Sequence, residues 1–517
     1  MTETASAVFA AARARLVDAY DDPESIGEFE FPDIDHFVWA RDWFDWYAAG
    51  RSTAAVCGPS AVDRVWLEVS YDELARASSA VAAALIADCL RPGDRVLIDM
   101  SASVELYAVL LGVLKVGAVV IPVHHGLHPD SLAERVAVAR PHWVIADQPR
   151  PGSGAINGPR LVSWEYSGPG LPELALATDA PAFGCFTSGT TGRPKLALHS
   201  NRSHGIAHLA SLYWNRLDTG QRHLNISSPG WAKFFWSSFL VPLTAGATVV
   251  IRPDSLAANR LETFIAEHEV ESLCAPVVYL RDVLAGPRGN LANRLRDVTS
   301  VGEVVPTALR VDIMRTWGVQ LREGFGQTEA TAILGELKCR PDQWTVLPGY
   351  QVKLVEDEAT PAPRLMFSAL PKGSFLGYLQ EGGNLRPPAL EGGWQWTGDF
   401  ATGVIEAGTL QLLGRGDDVF RSNGHLVAPA EVEGIIERHP AVDAAAVVPR
   451  WSSDLGIVPV AYVVAGEVDV NGIDEKALVD WVNERLPAEV DLSAVTVVER
   501  LPRSINGKIQ RALLAGA

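Results

Sequence analysis

Apolar runs of helical and strand length alternate along the chain from residue 71 onward. Positions 71–89 predict a helix, 95–100 a buried strand, 102–116 a second helix and 118–123 a second strand. A helix over 130–139 and a strand over 143–146 continue the series. Strand and helix in turn mean βαβ units around a parallel sheet. A second such sheet is expected between 200 and 300, with strands at 247–251 and 272–275. Between 340 and 395 short strand-like pieces (350–355, 364–367) alternate with Gly/Pro turns, the pattern of a small antiparallel barrel. A compact tail follows, with helices at 430–438 and 475–486 and strands at 444–448 and 458–464. The expected fold is α/β: a large N-terminal domain (1–415) of two βαβ-type sheets plus a small β-barrel, then a small α+β domain (416–517). Residues 1–50, Ala-rich, then acidic, then dense in aromatics over 37–46, read as an arm docked on the main body.

Composition narrows the class. A chain of 517 residues with 48% hydrophobic content is long enough for at least two buried cores. Its net charge of −18 argues against nucleic acid or an anionic membrane as the main partner. Any phosphate site must therefore be locally basic, and Lys195, Arg415 and Lys508 are the candidates. Five cysteines (57, 89, 185, 274 and 339) lack CxxC spacing, which points to reduced thiols rather than zinc or a disulfide framework. Neither a signal peptide nor a run of 18 apolar residues is apparent, so a soluble, cytoplasmic enzyme without a membrane span is expected. His124, His125 and His128 lie in a turn without a companion Cys or carboxylate cluster and are read as structural or solvated.

The candidate chemistry begins after the apolar run 182–186. Thr187, Ser188, Gly189, Thr190, Thr191, Gly192, Arg193, Pro194 and Lys195 form a hydroxyl- and glycine-rich loop closed by a lysine. Glycines let backbone N–H groups approach an anion and form a concave nest, and the hydroxyls and ammonium add donors suited to a polyphosphate. The loop is not a Walker A motif, since no Gly-Lys-Ser/Thr closes it.

Four later segments give that loop a context: Glu323-Gly324-Phe325-Gly326-Gln327-Thr328-Glu329, Trp396-Thr397-Gly398-Asp399, Gly414-Arg415-Gly416-Asp417-Asp418 and Pro502-Arg503-Ser504-Ile505-Asn506-Gly507-Lys508. Together and in this order the five motifs resemble those of the adenylate-forming superfamily of acyl-CoA synthetases, adenylation domains and luciferases. The resemblance runs from about residue 60 to the C-terminus. Lys195-Leu196-Ala197-Leu198-His199-Ser200 and Ser228-Pro229-Gly230-Trp231-Ala232-Lys233 are most similar to medium-chain acyl-CoA synthetases and acetyl-CoA synthetases.

The resemblance implies a reaction: ATP and a carboxylic acid give an acyl-AMP and pyrophosphate, and the acyl group then passes to the thiol of coenzyme A. A carrier-protein phosphopantetheine, or an amine, is the alternative acceptor. It also assigns roles. The 187–195 loop would hold the β- and γ-phosphates, Thr328 the α-phosphate, and Glu329 a Mg²⁺ ion, which suits a cation that takes few protein carboxylates. Phe325 would face adenine, with Gly302-Glu303-Val304 as the other wall; Asp399 would accept the ribose hydroxyls, assisted by Arg415. Lys508 would be the catalytic lysine of adenylation, and Asp417 the hinge about which a mobile small domain rotates between half-reactions. Ser422, Asn423 and Gly424 would line the pantetheine tunnel, and Trp231, Lys233, Phe234 and Phe235 an apolar acyl pocket for a medium-chain or aryl acid. One departure stands out: Leu426 occupies the place where those relatives carry an arginine, with Arg421 five residues earlier.

Overall fold

The computed structural model describes residues 4–148, 155–188, 194–254, 256–286, 291, 294–357, 360, 362–368, 373–380, 383–416, 418–422, 425–452, 456–466, 473–486, 490–503 and 509–515. Among the described residues, two large sheets share the body of the molecule. In one of eight strands, Arg95–Asp99, Val119–Pro122, Trp143–Ala146 and Ile156–Asn157 run parallel, and Pro181–Ser188 joins them before turning back through Pro194–Ser200. In the other, of nine strands, the parallel core is Arg222–Asn225, Thr248–Val250, Ser272–Cys274, Asp297–Val301 and Leu321–Gly326. The alternation predicted from residue 71 is present, with ends shifted by a few positions at caps that the apolar pattern does not encode.

Those caps are physical stops. Ser70 and Glu73 make a reciprocal capping box that starts the helix Tyr71–Ala87 at its first predicted residue. Gly117, at φ +82°, ends the helix Val104–Val116 in the left-handed conformation. All thirteen residues of that helix are buried, and it packs against strands of both sheets, the environment in which a helix is apolar all round. Its two charged residues, Glu105 and Lys115, are the exceptions. Lys115 Nζ donates to Ala75 O at 2.9 Å and Ser78 Oγ at 2.7 Å, and lies 2.6 Å from Asp45 Oδ1. Asp45 belongs to the aromatic segment of the N-terminal arm, so this buried ion pair fastens the arm to the core. Trp39 N adds a bond to Asn201 Oδ1 and Arg13 one to Thr244 O.

Behind the strand Leu321–Gly326, the ring of Trp214 fills a slot between Gly324 and Gly335, which face each other in antiparallel register. A Cβ on either glycine would lie within 2.4 Å of the indole. Arg322, fully buried, donates to Trp214 O at 2.8 Å and Glu336 O at 3.0 Å, and pairs with Asp297. Neighbouring strands and a helix are thereby tied at one guanidinium.

The 340–395 region differs from expectation. Arg340–Val346 extends the nine-stranded sheet, and Gly377–Leu379 with Leu385–Arg386 adds to the eight-stranded one. What remains is an antiparallel sheet of five strands built on Arg364–Ser368 and Trp394–Thr402, whose pairings among the described residues follow an open path. Its strand Gln411–Arg415 is the last paired to the body. Beyond it lie a hairpin (Phe420–Ser422, His425–Val427) and a three-stranded sheet in which Val442–Ser452, Gly456–Ala465 and Ala494–Val497 pack helices Pro429–Ile436 and Glu475–Asn483 around their own core.

Candidate active site

A cleft of about 2110 Å³ opens between the body and the C-terminal part, lined from both. Along it run Gly302, Glu303 and Val304 at the end of one parallel strand and Gly324 through Glu329 at the end of the next. Carboxyl ends of adjacent parallel strands are where α/β sheets open a crevice for ligands. Thr187, Asp399, Arg415, Trp231 and Lys233 complete much of the rim. Most of the predicted site residues that the structure describes thus converge on one cavity.

The geometry at Asp399 explains its glycine neighbour. Asp399 and Arg415 are directly opposed on adjacent strands, with Nη1 3.7 Å from Oδ2. Gly398, at φ +83°, lets the chain turn under that guanidinium, and a Cβ there would lie 3.0 Å from Nη2. The carboxylate is only 14% exposed and meets the cleft as a focused acceptor.

Glu329 is held by a residue that the sequence did not point to. The Tyr378 hydroxyl donates to Glu329 Oε1, and Lys195 Nζ lies 5.6 Å from the centre of the Tyr378 ring. Burial, with the negative charge of Glu329 added, pushes the phenol far above its ordinary pKa, so it stays a donor. Lys195 itself is set by register, opposite Thr187 on the neighbouring strand. Thr328 is fixed through its carbonyl, which accepts from His199 Nε2 at 2.7 Å. One carboxylate beside hydroxyl and ammonium groups fits a magnesium ion that arrives on phosphate oxygens. Among the described residues there is no trio of metal-ligating side chains.

Some predicted residues sit elsewhere. Phe234 and Phe235 turn away from the cleft into the core, against Tyr107, Phe183 and Phe239, because the segment Phe234–Leu240 is a wide helical turn. Of the aromatics at 231–236, Trp231 and Trp236 line the cleft. Glu323 does line the cleft, but its carboxylate accepts from Arg310 Nη2 at 2.9 Å, and the same guanidinium serves Glu336 at 2.8 Å. Ser422 is buried in its hairpin. Gly189, Thr190, Thr191, Gly192, Asp417, Asn423, Gly424 and Lys508 lie outside the described residues, as does the Ser188 side chain. Arg503 and Ile509, on either side of 504–508, bridge each other and both line the cleft. Arg421 is paired in register with position 426 across its hairpin.

The cleft matches a known protein class. Residues 46–365 match the family model described as AMP-binding enzyme, and 431–508 the model of its C-terminal domain. The chain belongs to the AMP-binding enzyme family. Over 93% of its length it is 30% identical to 4-hydroxybutyrate–CoA ligase 1 of Metallosphaera sedula, covering 91% of that protein. It is 26% identical over 89% of its length to a 3-hydroxybenzoate–CoA/4-hydroxybenzoate–CoA ligase of Thauera aromatica, covering 93% of it. ATP-bound MatB from Rhodopseudomonas palustris has the same fold, with a TM-score of 0.80 at 22% identity over 93% of this chain and 99% of that one. The protein is an AMP-forming acid–thiol ligase, an acyl-CoA synthetase that makes an acyl-AMP from ATP and passes the acyl group to coenzyme A.

Proposed function

We propose that the acid is a medium-chain aliphatic or aryl carboxylic acid, seated against Trp231 and Trp236, and that the enzyme works in the cytoplasm with Mg·ATP. The observation that carries the reading is the convergence of 302–304, 324–329, Asp399 and Arg415 on one cleft that Arg503 and Ile509 also line. The scattered cysteines, free at every position, support a reducing compartment.

In this reading an oxygen of the substrate carboxylate attacks the α-phosphorus, and the bond to pyrophosphate breaks. Both reactants are anions, so the site must neutralise charge that grows in the transition state. Phe325 faces adenine, Asp399 accepts from the ribose hydroxyls, and Lys195 draws the β- and γ-phosphates to its strand edge. A magnesium ion held by Glu329 and the phosphates would offset further negative charge, with Tyr378 keeping the carboxylate turned toward it. Lys508 bridges the substrate carboxylate and the α-phosphate. The thiol sulfur then attacks the acyl carbonyl, and AMP leaves. Rotation of 416–517 about Asp417 separates the two steps. Arg421, across the hairpin from Leu426, supplies the missing cation. Absence of the usual arginine favours one second reading, in which a carrier-protein phosphopantetheine or an amine replaces coenzyme A.

Pyrophosphate release across a panel of aliphatic and aryl acids, each with and without coenzyme A, tests both. Sustained turnover only with coenzyme A, for acids of one chain length or ring type, is expected. A burst that coenzyme A cannot convert to turnover would pass the reaction to the second acceptor class.

A further inference from the structure

His204 lines the cleft, as do Trp231, Lys233 and Trp236 of the proposed acyl seat. It is 1% exposed. Phe183 and Phe235 pack on its ring with centroids 5.1 and 5.6 Å away, and His199 and His208 lie at 4.4 Å on either side. The flanking histidines spend nitrogens on other groups. His199 bonds Thr328 O and Ser203 Oγ, and His208 Nδ1 bonds Ser211 Oγ at 3.2 Å. Both nitrogens of His204 are left without a hydrogen-bond partner among the described residues.

That is an unusual expense for a fold to carry. Buried polar side chains nearly always find partners, and an unpaired one costs the full loss of its hydration. Burial, and then the neighbouring imidazoles, hold the His204 pKa well below the ordinary value. The ring is therefore neutral, one nitrogen a donor and the other an acceptor. A phenyl ring would fill the same aromatic cage without the penalty.

The backbone is also shaped for it. His204 belongs to the segment Asn201–Ile206, wound as a π-helix, in which Ala207 N reaches Arg202 O at 3.1 Å. The segment Phe234–Leu240, which carries Trp236, is wound the same way, with Val241 N bonded to Trp236 O. Wide turns of this kind are rare and concentrate at functional sites.

We propose that His204 reads a polar substituent on the acid, so that the preferred substrate carries a hydroxyl or carbonyl group on its chain or ring. A hydroxyl both donates and accepts, as the neutral imidazole does. A plain hydrocarbon entering the same space leaves both nitrogens stranded. This assignment rests on the reading that the acyl group lies along Trp231 and Trp236. The residue acts on selectivity, not on the bond-making step.

The test compares acids in matched pairs, each straight-chain or aryl acid with its hydroxylated counterpart, by kcat/KM for pyrophosphate release. The wild type should favour the hydroxylated member of the accepted pair about tenfold, the scale of one neutral hydrogen bond. His204→Phe should bring that ratio to about one while turnover of the unsubstituted acid stays within about threefold, and its Tm should not fall. His204→Gln, still a donor and acceptor, should keep part of the preference, and it carries the test if the Phe variant does not fold. A preference for the unsubstituted acid in the wild type, or an unchanged ratio in His204→Phe, overturns the assignment. Pyrophosphate release with no acid at all would instead overturn the acyl-cleft reading beneath it.

Discussion

Lys508 is the residue proposed to carry the adenylation step. The described residues that flank it, Arg503 and Ile509, bridge each other and line the cleft. A lysine delivered between two anions stabilises charge that exists fully only in the transition state. Lys508→Ala is expected to slow acyl-AMP formation about 10²–10³-fold, roughly 3–4 kcal/mol, while thioester formation from supplied acyl-AMP largely survives. Single-turnover assays of each half-reaction check this, and equal losses in both would make the lysine structural. At this scale the sequence was informative where a motif brings several cleft-lining residues together, as in 323–329. It was silent on Tyr378, which lies in a strand of the other large sheet and reaches Glu329 only through the fold. It also could not sort the aromatic residues at 231, 234, 235 and 236, since a wide helical turn breaks the regular period that decides which face is buried.

Among elements, the join between body and tail matters most. The strand Gln411–Arg415 is stitched to the body, and the hairpin starting at Phe420 belongs to the tail. The hinge proposed at Asp417 falls between them. Across the cleft, Arg281 of the helix Val277–Ala285 pairs with Glu437 through two hydrogen bonds, one at 3.2 Å. That contact must break if the tail turns. Asp417→Pro fixes φ at the proposed hinge and is expected to slow thioester formation more than adenylation. Pre-steady-state rates of the two steps measure it, and normal rates in both would move the hinge elsewhere. The alternation of strands and helices was legible because each element has its own period. Which strands pair was not: the pieces in 340–395 have the right pattern for strands, but pattern names no partner, and two of them joined the large sheets.

For the whole molecule, charge and burial meet at Glu323. The chain is strongly acidic, and here two buried carboxylates, Glu323 and Glu336, share the single guanidinium of Arg310. Burial, more than Arg310 offsets, lifts Glu323 from 4.5 to about 7. Between those values the folded protein holds a proton that the unfolded chain has released, so this group makes stability fall as pH rises through that window and level off above it. Glu323→Gln should abolish that component: its Tm relative to wild type is expected to climb from pH 5 to pH 8. A difference that stays constant with pH would mean that Arg310 keeps the carboxylate charged throughout.

The slot that holds Trp214 between two facing glycines also constrains how this protein can be changed. Neither Gly324 nor Gly335 can gain even a methyl group while the indole is in place. Trimming the indole first would leave a void behind the strand that carries Phe325. Any path that alters this wall one residue at a time therefore descends before it climbs. Libraries aimed at reshaping the nucleotide side should vary positions 214, 324 and 335 together, since one-at-a-time scans will score all three as immutable.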